Sequence, residues 1–260
     1  MRSAITKPKL LPMYRVFDSI LRALGRTTIR HLELVEEGNY LRASFRGIPR
    51  PLYWPASLDA GRLYSIALEL ALPWHWHYYE VPETRVLPKD VVLDCGAAEG
   101  LFALRVLERC RAVVMIEPLP LFVDCLNKTF AGEAKARVVA AALADRCGHS
   151  FLEEDGPSSR IADGGSGTSV EVITVDELCS RLDLVPTYIK ADLEGFEPGM
   201  IRGARETIRR HKPRLAVTTY DRRDIAAEVS SLLRSFNPSY SIRTKGMMPG
   251  TGTPFLLHAW

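Results

Sequence analysis

Acidic side chains stand in this sequence at the places where a nucleotide-type ligand would meet the edge of a sheet. The run Val91-Val92-Leu93-Asp94-Cys95-Gly96-Ala97-Ala98-Glu99-Gly100 is a short apolar stretch that stops at an acid and enters a glycine turn. Leu101, Phe102, Leu104, Val106 and Leu107 follow at helical spacing. Strand, glycine turn and helix form the first unit of a nucleotide-type α/β fold. The turn lacks the full G-x-G-x-x-G pattern of dinucleotide sites, holding only Gly96 and Gly100. A pyrophosphate resting on the helix N-terminus would be repelled by Asp94. A ligand with an ammonium and a sulfonium would be attracted by it. The next apolar run, from Ala112 to Ile116, ends in Glu117, 23 residues after Asp94. In doubly wound folds an acid at about 20 residues holds the ribose hydroxyls. S-adenosylmethionine (SAM) carries both positive groups and a ribose.

From Asp90 onward, strand and helix patterns alternate. Strands are expected at Val91–Cys95, Ala112–Glu117, Arg137–Ala142, Thr187–Ala191 and Arg214–Thr219. Helices are expected at Leu101–Cys110, Leu119–Phe130, Val175–Leu182, Pro198–His211 and Arg223–Phe236. Five such units imply a mostly parallel sheet with right-handed crossovers. Two final strand-like runs, Tyr240–Thr244 and Phe255–Ala259, predict a hairpin at one edge. The Gly- and Ser-rich segment Glu154–Ser169 reads as a loop within a hairpin made by residues near 148–152 and 170–174. Ligands in such sheets bind beyond the carboxyl ends of the strands. Asp94, Glu117, Asp145 and Asp192 all fall at or near that edge.

Residues 1–89 read as an N-terminal extension or cap over the active site, and residues 90–260 as the main domain. The extension has strand-like pieces (Leu32 to Val35, Tyr40 to Phe45) and a helical stretch near Leu58 to Leu72. Its first 30 residues hold seven Lys or Arg against one acid, Asp18, with apolar residues at helical spacing. That pattern fits a packed cap helix, a membrane-surface helix or a targeting peptide. The run Trp74-His75-Trp76-His77-Tyr78-Tyr79-Glu80 reads as an aromatic floor or lid, or as a metal site if His75 and His77 share a strand face. Net charge is only +3, which does not demand nucleic acid. No run of 18 apolar residues exists to span a membrane. The five cysteines are odd in number and lack C-x-x-C spacing, which points to reduced structural thiols and a cytoplasmic setting.

A family resemblance rests on ordered blocks: D-C-G-A-A-E-G, then I-E-P-L-P, A-L-A-D, T-V-D-E-L, and I-K-A-D-L-E-G-F-E with a downstream G-A. Together, over roughly Val91 to Val217, they resemble the FkbM family of SAM-dependent methyltransferases. The block from Ile189 to Glu197 is the most specific. The ending R-T-K-G…P-F-L-L-H-A-W resembles one subgroup. Many members carry Tyr-His after the fifth strand, where this chain has Tyr220-Asp221.

The resemblance implies a class I methyltransferase (Rossmann-like) fold: doubly wound, seven-stranded and mostly parallel, with one antiparallel member in its last two strands. It implies SAM, and an oxygen acceptor on a sugar, glycolipid or other natural product. Carried onto this chain, it places Gly96, Ala97 and Gly100 along the methionine part, with Tyr79 and Glu99 beside the cofactor. Asp94 and Asp192 would lie near the ammonium, and Glu117 on the ribose. Pro118 and Leu119 would flank the adenine on one side, Leu143, Ala144 and Asp145 on the other. Glu194 is the favoured base for the acceptor hydroxyl, ahead of Asp192, His77 and His211; Lys190 would instead lower the acceptor's pKa. Asp192 and Asp221 could also hold Mg²⁺, a reading not favoured. The rival readings are a NAD-dependent oxidoreductase, which leaves Asp94 and the Asp192 block unexplained, and a non-catalytic nucleotide-binding domain. No N-P-P-Y-type block follows the fourth strand, so a nucleic-acid acceptor is not expected. Oligomeric state and acceptor identity are not legible.

Overall fold

The computed structural model describes residues 32–45, 48–153, 160–162 and 168–260. The basic helical pattern of residues 1–30 and most of the Gly/Ser segment lie outside the described residues. The described residues open with β1 (Glu33–Glu37), β2 (Tyr40–Ser44) and β3 (Leu52–Pro55), an antiparallel three-stranded sheet. The third of these was not expected, because Pro51 and Pro55 read as punctuation; an edge strand tolerates proline, and β3 pairs only with β2. Helix α1 (Ala60–Ala71) follows, its first turn capped by the Asp59 carboxylate, which accepts from the Gly61 N–H.

After α1 the chain runs β4 (Val91–Cys95), α2 (Leu101–Val106), β5 (Ala112–Ile116), α3 (Pro120–Thr129) and β6 (Ala136–Val139). Next come β7 (Ala142–Leu143), β8 (Gly148–Glu153), β9 (Arg160–Ala162), β10 (Thr168–Ile173) and α4 (Val175–Leu182). The chain closes with β11 (Tyr188–Ala191), α5 (Glu197–Gly203), α6 (Arg205–His211), β12 (Arg214–Thr218), α7 (Ile225–Phe236), β13 (Ile242–Met247) and β14 (Pro254–Ala259). Seven strands form the central sheet in the order β13-β14-β12-β11-β4-β5-β6. Only β14 runs antiparallel to its neighbours, so the expected edge hairpin and mostly parallel sheet are both present.

Alternation along each strand divides the interior into two layers. Val92, Met115, Tyr188 and Leu256 face one side, and Leu93, Ile116, Ile189 and Leu257 the other. The first layer is covered by α2, α3 and the extension, with Trp54 and Leu63 in the same buried cluster as Val92 and Met115. The second is covered by α4 to α7, through Leu178, Ile201, Ile208 and Val229.

Four expectations are corrected. The third strand stops at Val139; Ala142–Leu143 joins a second sheet, β7-β10-β8-β9, built on the hairpin of β8 and β10. The helix expected over Pro198–His211 breaks at Ala204, and the Asp176 carboxylate caps the second piece by accepting from the Glu206 and Thr207 N–H groups. The helix expected over Leu101–Cys110 finishes as a 3₁₀ turn, Leu107–Arg109. The aromatic run is a chain of turns rather than a strand, fixed by His75 N–H to Leu72 O and Tyr78 N–H to His75 O.

Two glycines in α5 have opposite surroundings. A Cβ on Gly203 would collide with the carbonyl oxygen of Ala144, whereas one on Gly199 would meet only the Asp145 nitrogen at 4.0 Å. Gly203→Ala should therefore destabilise the protein by about 1–3 kcal/mol. Gly199→Ala should stabilise it by roughly 0.5–1 kcal/mol, since glycine weakens a helix interior. Urea unfolding of the two variants checks this; equal effects would contradict the packing described.

Candidate active site

The sheet register brings two charged side chains face to face. Lys190 of β11 pairs with Asp94 of β4 across neighbouring parallel strands, one residue before Ala191 pairs with Cys95. Both side chains are buried, and Lys190 Nζ lies 3.0 Å from Asp94 Oδ1. The same Nζ donates to Gly96 O at 2.6 Å and stands 5.2 Å from the centre of the Tyr79 ring. Burial alone would lower the Lys190 pKa, but Asp94 and Asp192 outweigh it and leave the ammonium raised above its ordinary value. Lys190 is thus held as a buried cation.

Its other anion, Asp192, follows β11 directly. Tyr79 Oη donates to Asp192 Oδ2 at 2.6 Å, and the Thr218 and Tyr220 hydroxyls donate to Oδ1 at 3.2 and 3.3 Å. Burial pushes this carboxyl up, but Lys190, His77 and the two hydroxyls of Tyr79 and Thr218 hold it below the usual range. Asp192 is a firmly ionised carboxylate, which makes it a poor proton acceptor.

The glycine turn is locked onto this pair. Gly96 adopts φ 72°, and a Cβ there would collide with the Asp192 carbonyl oxygen. Gly96 and Ala97 both donate to Ile116 O, at 2.9 and 3.1 Å. Ala98 and Gly100 are also left-handed, with φ 45° and 85°. The Glu117 carboxylate then ties the turn to the next loop, accepting from the Ala98 N–H at 2.9 Å and the Leu119 N–H at 3.0 Å. Burial pushes Glu117 up to about 7, against those two backbone bonds. Glu99 and Glu197 are also raised to about 7 by burial.

A cleft enclosing about 750 Å³, mouth included, opens beyond these strand ends. Gly96, Glu117, Pro118, Leu119, Leu143, Asp192 and Glu194 of the expected residues line it, joined by Ala98, which was not expected. Tyr79, Asp94 and Lys190 do not line it; they are buried and joined to its lining residues Gly96 and Asp192 by the bonds above. Ala97, Glu99 and Gly100 shape the turn without lining the cleft. Ala144 and Asp145 line a second cavity, of about 1490 Å³ with its mouth, which shares Glu194 and Phe196 with the first. Sequence reasoning missed Phe122 and Phe196 in the cleft wall. Phe196 sits inside the Ile189–Glu197 block and was within reach; Phe122 carries no sequence signal beyond helical spacing.

The metal readings find little support in the donor sets. Asp192 is occupied by three hydroxyl donors. His75 and His77 stack with ring centres 6.3 Å apart, and His77 Nδ1 lies 2.8 Å from Glu69 Oε2. Among the described residues, no group of three or more His, Cys, Asp or Glu converges as metal ligands. The five cysteines are free thiols. Among the described residues, no helix is long and apolar enough to cross a membrane.

Residues 94–240 match the model of the methyltransferase FkbM domain. The chain belongs to the FkbM methyltransferase family. It is also similar to the crystal structure of a methyltransferase FkbM from Methylobacillus flagellatus KT, with a TM-score of 0.55 and 22% identity over 76% of this chain. The match spans 53% of that protein, so this chain corresponds to about half its length. TYW2 of M. jannaschii, solved with AdoMet, aligns at a TM-score of 0.46 and 10% identity, over 87% of each chain. The precorrin-6y C5,15-methyltransferase of Geobacter metallireducens GS-15 aligns at 0.43 and 11%, over 68% of this chain and 83% of that one. None of the curated proteins matches. Family membership groups the chain with methyltransferases and lends the oxidoreductase reading no support.

The site predicts a specific asymmetry. Lys190→Met leaves Asp94 buried without its counter-charge and should destabilise the protein by about 3–5 kcal/mol. Adding Asp94→Leu should recover most of that loss, because replacing both ions by apolar groups removes the unpaired charge. Denaturant titration of single and double variants reads this. A double variant no more stable than the single one would show that the ion pair is not what Lys190 contributes.

Proposed function

We propose that this FkbM-family protein transfers a methyl group from SAM to a hydroxyl oxygen on a sugar, glycolipid or other natural product. The observation that carries the reading is the cleft's donor set. Its carboxylates, Glu117 and Asp192, stand at the ends of β5 and β11 with the apolar Leu119, Phe122 and Leu143 alongside. Each Glu117 oxygen accepts one backbone bond and keeps a second lone pair for a ribose hydroxyl. Pro118, Leu119 and Leu143, with Ala144 beyond, would flank the adenine. Gly96, Ala97 and Gly100 would line the methionine part, and Asp192 would face its ammonium. Asp94 would act through Lys190, which fixes Gly96 and Asp192, rather than by contact. The extension, whose Tyr79 bonds Asp192, would form one wall of the acceptor's approach.

When bound, SAM supplies an electrophilic methyl on a sulfonium. The protein's task is to aim the acceptor oxygen and remove its proton. Lys190 is a buried cation and Asp192 is held firmly ionised, so neither suits the base role. His77 is committed to Glu69, and His211 ends α6 on the exposed surface. Glu194 borders both cavities. It holds a left-handed backbone at φ 51°, a conformation costing a non-glycine residue roughly 1–2 kcal/mol. Strain of this kind fits a side chain aimed for chemistry.

Transfer of labelled methyl from SAM to hydroxylated sugars tests the reading. Glu194→Gln should lower kcat by about 10²–10⁴-fold while SAM affinity stays within a few-fold. Wild-type kcat in that variant would remove Glu194 as the base.

A further inference from the structure

Behind the cleft, two buried carboxyls share one hydroxyl. Thr218 Oγ1 lies 2.8 Å from Glu197 Oε1 and 3.2 Å from Asp192 Oδ1, with a single proton to donate. Thr218 and Glu197 are both fully buried. Glu197 does not line the cleft, but its neighbour Phe196 does, and so does Leu193, whose N–H donates to Glu197 Oε1 at 2.8 Å. The other oxygen, Oε2, is buried with no hydrogen-bond partner among the described residues.

The two carboxyls meet different surroundings. Asp192 has Lys190 and His77 as nearby cations and stays ionised. Glu197 faces Asp192 beyond β11 and Thr218 of β12. Arg222, beyond β12, feels its charge but is engaged by Asp224 and Glu228. Burial, joined by repulsion from Asp192, pushes Glu197 up to about 7 against its bonds from Leu193 and Thr218. A bare buried oxygen costs far more on an ionised carboxylate than on a neutral acid. One carboxyl therefore holds charge and its neighbour holds a proton, a division that assigns them different roles.

We propose that Glu197 is a specificity-determining residue that acts by its charge, through Thr218 and Asp192, to favour the cationic cofactor over its uncharged-sulfur product. The proposal rests on the SAM reading above and deepens it. In that reading Asp192 faces the ammonium, and the sulfonium lies a short carbon chain away. Positive charge brought there offsets the repulsion between the two carboxyls and favours loss of the Glu197 proton to solvent. By linkage, ionised Glu197 strengthens the binding of that charge to the same degree. S-adenosylhomocysteine keeps the ammonium but lacks the sulfonium charge, so it gains less. The preference for SAM is thus smaller while Glu197 is protonated, and grows as pH rises through its ionisation. Glu99 and Glu117 ionise in the same range, so the share of Glu197 is read as the difference between variant and wild type.

Calorimetry of the whole protein with SAM and with S-adenosylhomocysteine, at about pH 6 and about pH 8, brackets the ionisation of Glu197. Glu197→Gln keeps an acceptor for the Leu193 N–H and mimics the neutral acid. It should leave the ratio of the two affinities unchanged at the lower pH and cut the preference for SAM about fivefold or more at the higher. Thr218→Val removes a bond that favours the charged form of Glu197 and should carry the wild-type rise in that ratio to higher pH. It covers the case in which the glutamine variant fails to fold. A ratio in Glu197→Gln equal to wild type at both pH values overturns the proposal. So does an equal loss at both, which marks a purely structural role, or a Thr218→Val profile superimposed on that of the wild type. Wild-type protein that binds neither compound would instead remove the SAM reading, and the proposal with it.

Discussion

The buried contact between Lys190 and Asp94 governs the architecture around it. Two ions removed from water lose several kcal/mol of solvation each, and their attraction offsets that only when the remaining donors and acceptors are satisfied. Lys190 reaches two acceptors from one position, Asp94 and the Gly96 carbonyl, and stands in the field of Asp192. The pair is possible because β4 and β11 are parallel neighbours in a register that sets these two residues side by side. A one-residue slip of either strand would turn that strand's charge towards the apolar layer of Leu93 and Ile189.

From that contact the site acquires its division of labour. The lysine fixes the carbonyl of Gly96 and hence the path of the glycine turn. The turn packs so closely on Asp192 that no side chain fits at Gly96. Asp192 stays ionised because Lys190 is near and the Tyr79, Thr218 and Tyr220 hydroxyls point at it. Glu117 follows a different logic: it is pushed up by burial, and is kept in place by two backbone donors. Of the cleft's carboxylates, Asp192 is thus held firmly charged while burial pushes Glu117 up to about 7. The N-terminal extension enters this scheme through Tyr79, which bonds Asp192, and Tyr188 Oη, which donates to the Tyr79 carbonyl at 2.9 Å.

Much of the fold was legible because strand and helix periods alternate cleanly after Asp90; the helix Val175–Leu182 falls where the pattern puts it. The failures have physical causes. Close approach of Gly203 to Ala144 accompanies a helix break that helical periodicity does not register. Prolines at 51 and 55 hid an edge strand. In the site, sequence placed acids at strand ends but not the depth of each. Asp94 and Asp192 look alike as carboxylates beside a turn, yet one is paired beneath the cleft and the other lines it. The decisive quantity is which strands are neighbours and in what register, and that is long-range information. The identical two-residue offset, Asp94 to Gly96 and Lys190 to Asp192, was the one local sign of it.

We propose that SAM binds in the cleft between the glycine turn and Glu117. The most direct test is a crystal structure of the protein with S-adenosylhomocysteine. The account predicts ribose hydroxyls on Glu117, adenine between Leu119 and Leu143, and an unbroken Lys190–Asp94 contact behind Gly96. Cofactor seated elsewhere, or direct contact between its amino group and Asp94 with Lys190 displaced, would contradict it.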